Sequence, residues 1–214
     1  MWIVDGAPHA PRRIPPDEPT CVIAVDRGLV HALRLGLRPH AAVGDFDSVS
    51  SAVLARCRRQ WPDVIIRRHP ADKAQSDLDL ALSFAWGLDP TSIAILSGGG
   101  GRLDHLLSGI SMLGRPRYAA LPITAYVGDS VVRTATVGMG LPLNVTDGNL
   151  LTLLAIGGSA RLLTTGLRWN LTPTVSLRSA ATLGLSNELT GPTAGLVICA
   201  GSILAIQTHG DSLG

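Results

Sequence analysis

Leu96-Ser97-Gly98-Gly99-Gly100-Gly101-Arg102-Leu103-Asp104-His105 is the stretch whose reading decides the fold. Residues 93–96 form an aliphatic run that reads as a buried strand. Residues 102–113 read as a helix. Four glycines join the two, so a strand feeds a glycine turn that opens a helix. Outward in both directions the same grammar repeats. Residues 2–4, 21–25, 41–44, 64–67 and 123–127 read as further strands, and 29–35, 53–60 and 76–86 as helices. Alternation of this kind predicts an α/β fold with a mostly parallel, Rossmann-like sheet and helices on both faces. Ligand-binding groups in such folds gather beyond the carboxyl ends of the strands.

After Gly128 the helical period stops. Residues 131–136, 150–156, 160–163, 174–177, 195–199 and 203–207 are short β runs, separated by turns such as Thr146-Asp147-Gly148-Asn149. Short strands with frequent turn signals predict a small C-terminal β-sandwich. The domain boundary is therefore expected near Gly128–Asp129, giving an α/β domain over 1–128 and a sandwich over 129–214.

Composition narrows the function. Of 214 residues, 46% are hydrophobic and 16% charged, which allows a real core and argues against disorder. The net charge is +2, and no basic run is long enough to imply nucleic acid. Arg56, Arg58 and Arg59 read as a solvated helix face. Cys21, Cys57 and Cys199 are odd in number and widely spaced, so they read as buried or half-buried thiols in a reducing compartment. Residues 1–16 lack a signal-peptide apolar run, and no segment has the length to span a bilayer. The expectation is a soluble, cytoplasmic protein with no membrane partner.

Three clusters carry chemistry. In Val43-Gly44-Asp45-Phe46-Asp47-Ser48 a strand ends in Gly and two carboxylates follow. On an extended backbone Asp45 and Asp47 point the same way, as a pair sharing Mg²⁺ does. The bland alternative is an Asx-turn followed by a Ser cap. In Asp72-Lys73-Ala74-Gln75-Ser76-Asp77-Leu78-Asp79, Ser76 and Asp79 form a capping box. The box does not explain why Lys73, the sole lysine of the chain, stands just before it. A helix N-terminus beside a lysine suits phosphate, and Asp77 adds a third carboxylate. The glycine run, thirdly, lets backbone N–H groups approach an anion. It matches neither G-x-x-x-x-G-K-[ST] nor G-x-G-x-x-G, since Leu103 stands at the last position counted from Gly98. Arg102 either covers a phosphate or snorkels, Asp104 is either catalytic or a dipole partner, and His105 reads as structural. In the second half, Trp169 lies between Arg168 and Asn170 in an apparent loop. It is either a plug for the sandwich or a face for a cationic or aromatic ligand.

Order and spacing add what single motifs do not. The series Val25-Asp26-Arg27-Gly28, Gly44-Asp45-Phe46-Asp47-Ser48, Asp72-Lys73-Ala74-Gln75-Ser76-Asp77, Gly100-Gly101-Arg102-Leu103-Asp104-His105, Gly166-Leu167-Arg168-Trp169 and Ser186-Asn187-Glu188 closely resembles the thiamine pyrophosphokinase family over nearly the whole chain. The family has Asp-Gly-Gly where this chain has Asp26-Arg27-Gly28, and often an acidic residue where Ala74 stands. The resemblance implies transfer of a diphosphoryl group from ATP to the thiamine hydroxyl, with Mg²⁺ as cofactor. It implies Mg²⁺ on Asp45, Asp47 and Asp77, and ATP contacts from Asp26, Lys73, Gln75, Ser76, Gly100, Gly101 and Arg102. Asp104 is implied to orient the alcohol or take its proton. Trp169, Ser186 and Asn187 are implied to bind thiamine, in a homodimer whose active site is shared between subunits. A related pyrophosphokinase acting on a hydroxymethylpterin is the first rival. A non-catalytic thiamine or nucleotide binder is the second, and three carboxylates held together argue against it.

Overall fold

The computed structural model describes residues 1–210. Each parallel strand of the first half is a short aliphatic run. The first three, β1 (Trp2–Val4), β2 (Val22–Val25) and β3 (Ala41–Gly44), are buried along their whole length, as strands covered on two faces must be. The fourth, β4 (Ile65–Arg68), is largely exposed, and β5 (Ile93–Ser97) is largely buried. Strand pairing is parallel in the order β5-β1-β2-β3-β4, and β6 (Ile123–Val127) flanks β5. The exposed Arg67 and Arg68 fit β4's place at the edge.

Four helices alternate with these strands: α1 (Gly28–Arg34), α2 (Ser51–Gln60), α3 (Asp77–Trp86) and α4 (Leu103–Met112). Ser50 caps α2 and Ser76 caps α3, each accepting an N–H from the residue three positions on. In α2 only Cys57 is buried, and Arg56, Arg58 and Arg59 face solvent as expected. Trp2, Val4, Ala24, Leu29, Phe46 and Leu96 belong to one buried cluster.

The chain separates into two compact units. One is Met1–Gly109 with Ala125–Gly128; the other is Ile110–Thr124 with residue 129 onward. In the second unit pairing is antiparallel. β12 (Thr193–Thr208) lies against β7 (Ser130–Thr136), β8 (Gly140–Asn144) and β9 (Leu150–Thr165), and β9 also pairs β10 (Leu177–Arg178) and β11 (Asn187–Glu188). Leu143, Leu151, Leu153, Leu162, Leu196 and Ile203 are buried in its core.

Several sequence expectations change here. The runs 150–156 and 160–163 are parts of one 16-residue strand, and so are 195–199 and 203–207. Gly157, Gly158 and Gly201 read as turns, but they sit at irregularities in the β9–β12 ladder, where positive φ bends a strand without ending it. The expected strand 174–177 shrinks to Leu177–Arg178, and β8 and β11 were not anticipated. Cys199 is exposed rather than half-buried, because it points outward on β12; all three cysteines are free thiols. Among the described residues no helix is long and apolar enough to cross a membrane.

Candidate active site

The strand order departs from chain order between β1 and β5, and the carboxyl ends of the strands on either side carry polar residues. Asp5 follows β1, Asp26 follows β2, Asp45 follows β3, and Ser97 ends β5. Such a switch point is where α/β sheets open a crevice for ligands.

Asp26 has a left-handed φ of 44°. Its N–H donates to Val43 O at 3.1 Å, and its Oδ1 accepts the Phe46 N–H at 3.0 Å. The carboxylate lies so close to Gly44 that a Cβ there would fall 1.8 Å from Asp26 Oδ1. Glycine at 44 is thus what admits the Asp26 side chain. Arg27, where the family pattern has glycine, takes ordinary helical angles at the start of α1 and is exposed.

Asp45 and Asp47 do not lie on one extended segment. Phe46 between them has φ 61° and is buried at 4% exposure, so its ring anchors a turn. Asp45 Oδ1 accepts the Asp47 N–H at 2.9 Å, the Asx-turn of the bland reading. Asp45 is half-buried and Asp47 exposed. Arg68 donates from Nη1 to Asp45 O at 2.9 Å and holds the turn from β4.

Asp77 opens α3. Lys73 Nζ lies 3.0 Å from Asp77 Oδ1, donates to Oδ2 at 3.2 Å, and also donates to Pro70 O at 3.0 Å. Lys73 and Asp77 are both largely sheltered, so the pair is less screened than a surface bridge. Ser76 Oγ accepts the Asp79 N–H at 3.2 Å and Gln75 Nε2 donates to Asp79 Oδ2 at 3.4 Å. Both are occupied in starting the helix.

Asp26 draws these groups together. Burial pushes its carboxyl up to about 7, against a Phe46 N–H bond that pulls the other way. The negative charges of Asp77 and Asp45, and a hydrogen bond with the Asp77 side chain, raise it further. Carboxylates held this close repel unless a proton or a cation lies between them. Among the described residues no group of three or more His, Cys, Asp or Glu side chains is arranged to enclose a metal. Mg²⁺ needs no such cage: it is commonly held by one or two carboxylates, with phosphate oxygens and water completing its shell. Asp26, Asp45 and Asp77 fit that ion in donor type and in charge.

A stability prediction follows from the shift. Below the ordinary value of 3.8, folded and unfolded chains both hold the Asp26 proton. Between there and about 7 only the folded chain holds it, so rising pH favours unfolding, with the full penalty above about 7. In chelator, Asp26→Asn is expected to melt above the wild type at pH 8 and level with it near pH 4. Melting curves across that range check it; a gap that does not change with pH contradicts it.

In the glycine run Gly99, Gly100 and Gly101 have successive φ values of 69°, 79° and 78°. Residues of the N-terminal loop lie over it. A Cβ on Gly98 would meet His9 O at 2.1 Å, one on Gly100 the His9 ring at 2.6 Å, and one on Gly101 the Pro8 ring at 2.7 Å. The run therefore also makes room for Pro8 and His9. Arg102 and Asp104 form an exposed fork, Nε to Oδ1 at 3.1 Å and Nη2 to Oδ2 at 2.6 Å. The Arg102 hydrogen bonds hold the Asp104 carboxyl down at about 2. While this fork is closed Asp104 is a weak proton acceptor; its basicity returns when Arg102 leaves it.

In the second unit Trp169 is 54% exposed, which excludes its being a plug within this chain. The Arg168 guanidinium lies 4.6 Å from its ring centroid, and Arg168 Nη1 bonds Glu188 Oε1 at 3.2 Å. Ser186 is exposed, with φ 55°. Asn187 is buried at 4% exposure and grips the Trp169 peptide. Its Nδ2 donates to Trp169 O at 2.7 Å, and its Oδ1 accepts the N–H groups of Trp169 at 3.1 Å and Glu188 at 2.9 Å. The sequence marks Asn187 as a ligand contact; in the structure its Oδ1 and Nδ2 hold the Trp169 peptide, and Oδ1 also takes the Glu188 N–H.

Two residues at the crevice escaped the sequence reading, Asp5 and Ser97. Asp5 is the first residue after a short aliphatic strand, the position where such sheets place ligand-binding groups, and that was the signal available for it.

Residues 17–125 match the family model described as "Thiamin pyrophosphokinase, catalytic domain". The chain is 41% identical over 97 residues to the thiamine pyrophosphokinase of Bacillus subtilis (strain 168), a match covering 45% of this chain and 44% of that relative. The match thus spans under half the length of this curated relative. The fold resembles the crystal structure of thiamine pyrophosphokinase from Bacillus subtilis, with a TM-score of 0.84 and 28% identity over 98% of this chain and 99% of that one. It also resembles that of thiamin pyrophosphokinase from Geobacillus thermodenitrificans, with a TM-score of 0.79 and 27% identity over 99% and 98% of the two chains.

Proposed function

This chain belongs to the thiamin pyrophosphokinase family, and from that premise we propose that it transfers the diphosphoryl group of ATP to the hydroxyl of thiamine, giving thiamine diphosphate and AMP. The observation that carries this reading is the carboxylate group at the strand ends. Asp26 lies close enough to Asp77 and Asp45 for their charges to raise its carboxyl, and Lys73 stands beside Asp77.

Mg²⁺, when bound there, supplies charge neutralisation across the phosphates. Asp26, Asp45 and Asp77 would hold it, and Asp47, on the same turn as Asp45, would be a fourth carboxylate beside it. Lys73, Arg102 and the N–H groups of Gly100 and Gly101 take phosphate oxygens, and Gln75 and Ser76 flank them at the start of α3. The thiamine hydroxyl attacks the β-phosphorus in line. A new O–P bond forms, the bond from that phosphorus to the AMP oxygen breaks, and AMP leaves. Positioning and charge stabilisation do most of the work in such a transfer. Asp104 orients the hydroxyl, or takes its proton as the O–P bond forms, once Arg102 turns to phosphate. Trp169 stacks on thiamine, and Ser186 offers its hydroxyl to the pyrimidine.

The finer architecture belongs to the same proposal. It comprises a Rossmann-like ATP domain over 1–128 with helices on both faces, and a thiamine-binding β-sandwich over 129–214. The enzyme works in the cytoplasm as a homodimer in which each subunit lends Trp169 to its partner's phosphate site. Mixing Asp77→Asn chains with Trp169→Ala chains at a thiamine concentration well below the KM of Trp169→Ala, under conditions of subunit exchange, is expected to give more activity than the two variants give separately. A monomer by light scattering at assay concentration contradicts that arrangement.

The function itself is tested by incubating the chain with ATP and Mg²⁺, with thiamine or with a hydroxymethylpterin. AMP release that depends on thiamine is the expected result. AMP release with the pterin alone, or none with either, overturns it.

A further inference from the structure

Asp5 and Ser97 lie outside the machinery described above, although both stand at the strand switch. Asp5 follows directly on β1 and is half-buried. Its N–H donates to Leu96 O at 2.9 Å, tying the end of β1 to β5. Its two carboxylate oxygens serve different segments. Oδ1 accepts the Gly6 N–H at 2.9 Å, at the root of the loop that carries Pro8 and His9 over the glycine run. Oδ2 accepts the Ser97 hydroxyl at 2.9 Å.

The hydroxyl of Ser97 has one proton. With that proton given to Asp5, the oxygen presents its lone pairs, and one accepts the Gly99 N–H at 3.3 Å. Gly99 is the first of three successive residues with left-handed φ. The chain Asp5–Ser97–Gly99 thus fixes the entry into the segment that continues through Gly100 and Gly101, whose N–H groups make no hydrogen bond among the described residues. A second anchor holds the same loop, since His31 Nε2 lies 2.9 Å from Ala7 O.

We propose that Asp5, acting through Ser97, is a positioning residue for the ATP phosphates: it locks the glycine run and the loop over it into one register. This rests on the reading that the glycine run carries those phosphates. Two features separate it from a packing role. A carboxylate accepts at both oxygens, and asparagine of the same shape cannot, so Asp5→Asn sets an N–H against either Gly6 N–H or the Ser97 hydroxyl proton. The route through Ser97 also requires that the two residues act as one unit.

The test is ATP binding by calorimetry, in Mg²⁺ and without thiamine, for wild type, Asp5→Asn, Ser97→Ala and the double variant. Thiamine KM at saturating ATP and melting temperature are measured beside it. Each single variant is expected to weaken ATP binding about tenfold, the double no more than the worse single, and thiamine KM to stay within about twofold. Ser97→Ala removes one oxygen and keeps the argument testable should Asp5→Asn fail to fold. ATP affinity within about twofold of wild type in Ser97→Ala overturns the proposal, as do single effects that multiply in the double variant. A wild-type protein that binds no ATP overturns the reading beneath it instead.

Discussion

Asp77→Asn is expected to lower kcat by about 10²–10³ at saturating ATP, thiamine and Mg²⁺, the usual cost of removing one preorganised electrostatic group from a transition state. Asn keeps the shape and still suits the first turn of α3, so the fold should survive. The packing alternative makes Asp77 a dipole partner for α3 and an ion-pair partner for Lys73, 3.0 Å away. The dipole contribution is about 0.3–1 kcal/mol of stability, with no effect on turnover. Measuring kcat beside the melting temperature separates the two. Near-normal turnover with a lowered melting temperature would remove Asp77 from the mechanism.

Trp169→Ala is expected to raise the thiamine KM about tenfold or more. A cation over an indole gains about 0.5–2 kcal/mol, and 1.4 kcal/mol is a decade in affinity. ATP KM should hardly move, because the phosphate groups belong to other elements. Trp169→Phe should recover part of the loss. At 54% exposure the side chain fills no core, so the melting temperature should change little. Equal changes in both KM values with a large drop in stability would make Trp169 packing rather than a platform. Asn187 grips the Trp169 peptide through two bonds, so its own effect on thiamine should run through the tryptophan.

The parallel half was legible because its signals were local. Apolar runs such as Ala41–Gly44 and Ile123–Val127 have the bounds that their composition dictates, and Ser76 starts α3 where a capping serine should. The antiparallel half was less so. Glycine marks both turns and bulges, and only the partner strand decides which; Gly157–Gly158 and Gly201 became bends inside β9 and β12. In the site, residue identities were readable and directions were not. The two-residue spacing of Asp45 and Asp47 implied a shared face, but burying the Phe46 ring forces a left-handed turn between them. Asp26 became the centre of the carboxylate group only when β2 and β3 paired and Gly44 left it room. Asp5 and Ser97 are 92 positions apart, and nothing short of β1–β5 pairing brings them within a hydrogen bond.

The central claim is that two phosphoryl groups move together. ATP labelled in its γ-phosphate, incubated with thiamine, Mg²⁺ and the protein, tests it most directly. The account predicts label in thiamine diphosphate and one AMP released for each product formed. Label in thiamine monophosphate with ADP, or no labelled thiamine product at all, would contradict it.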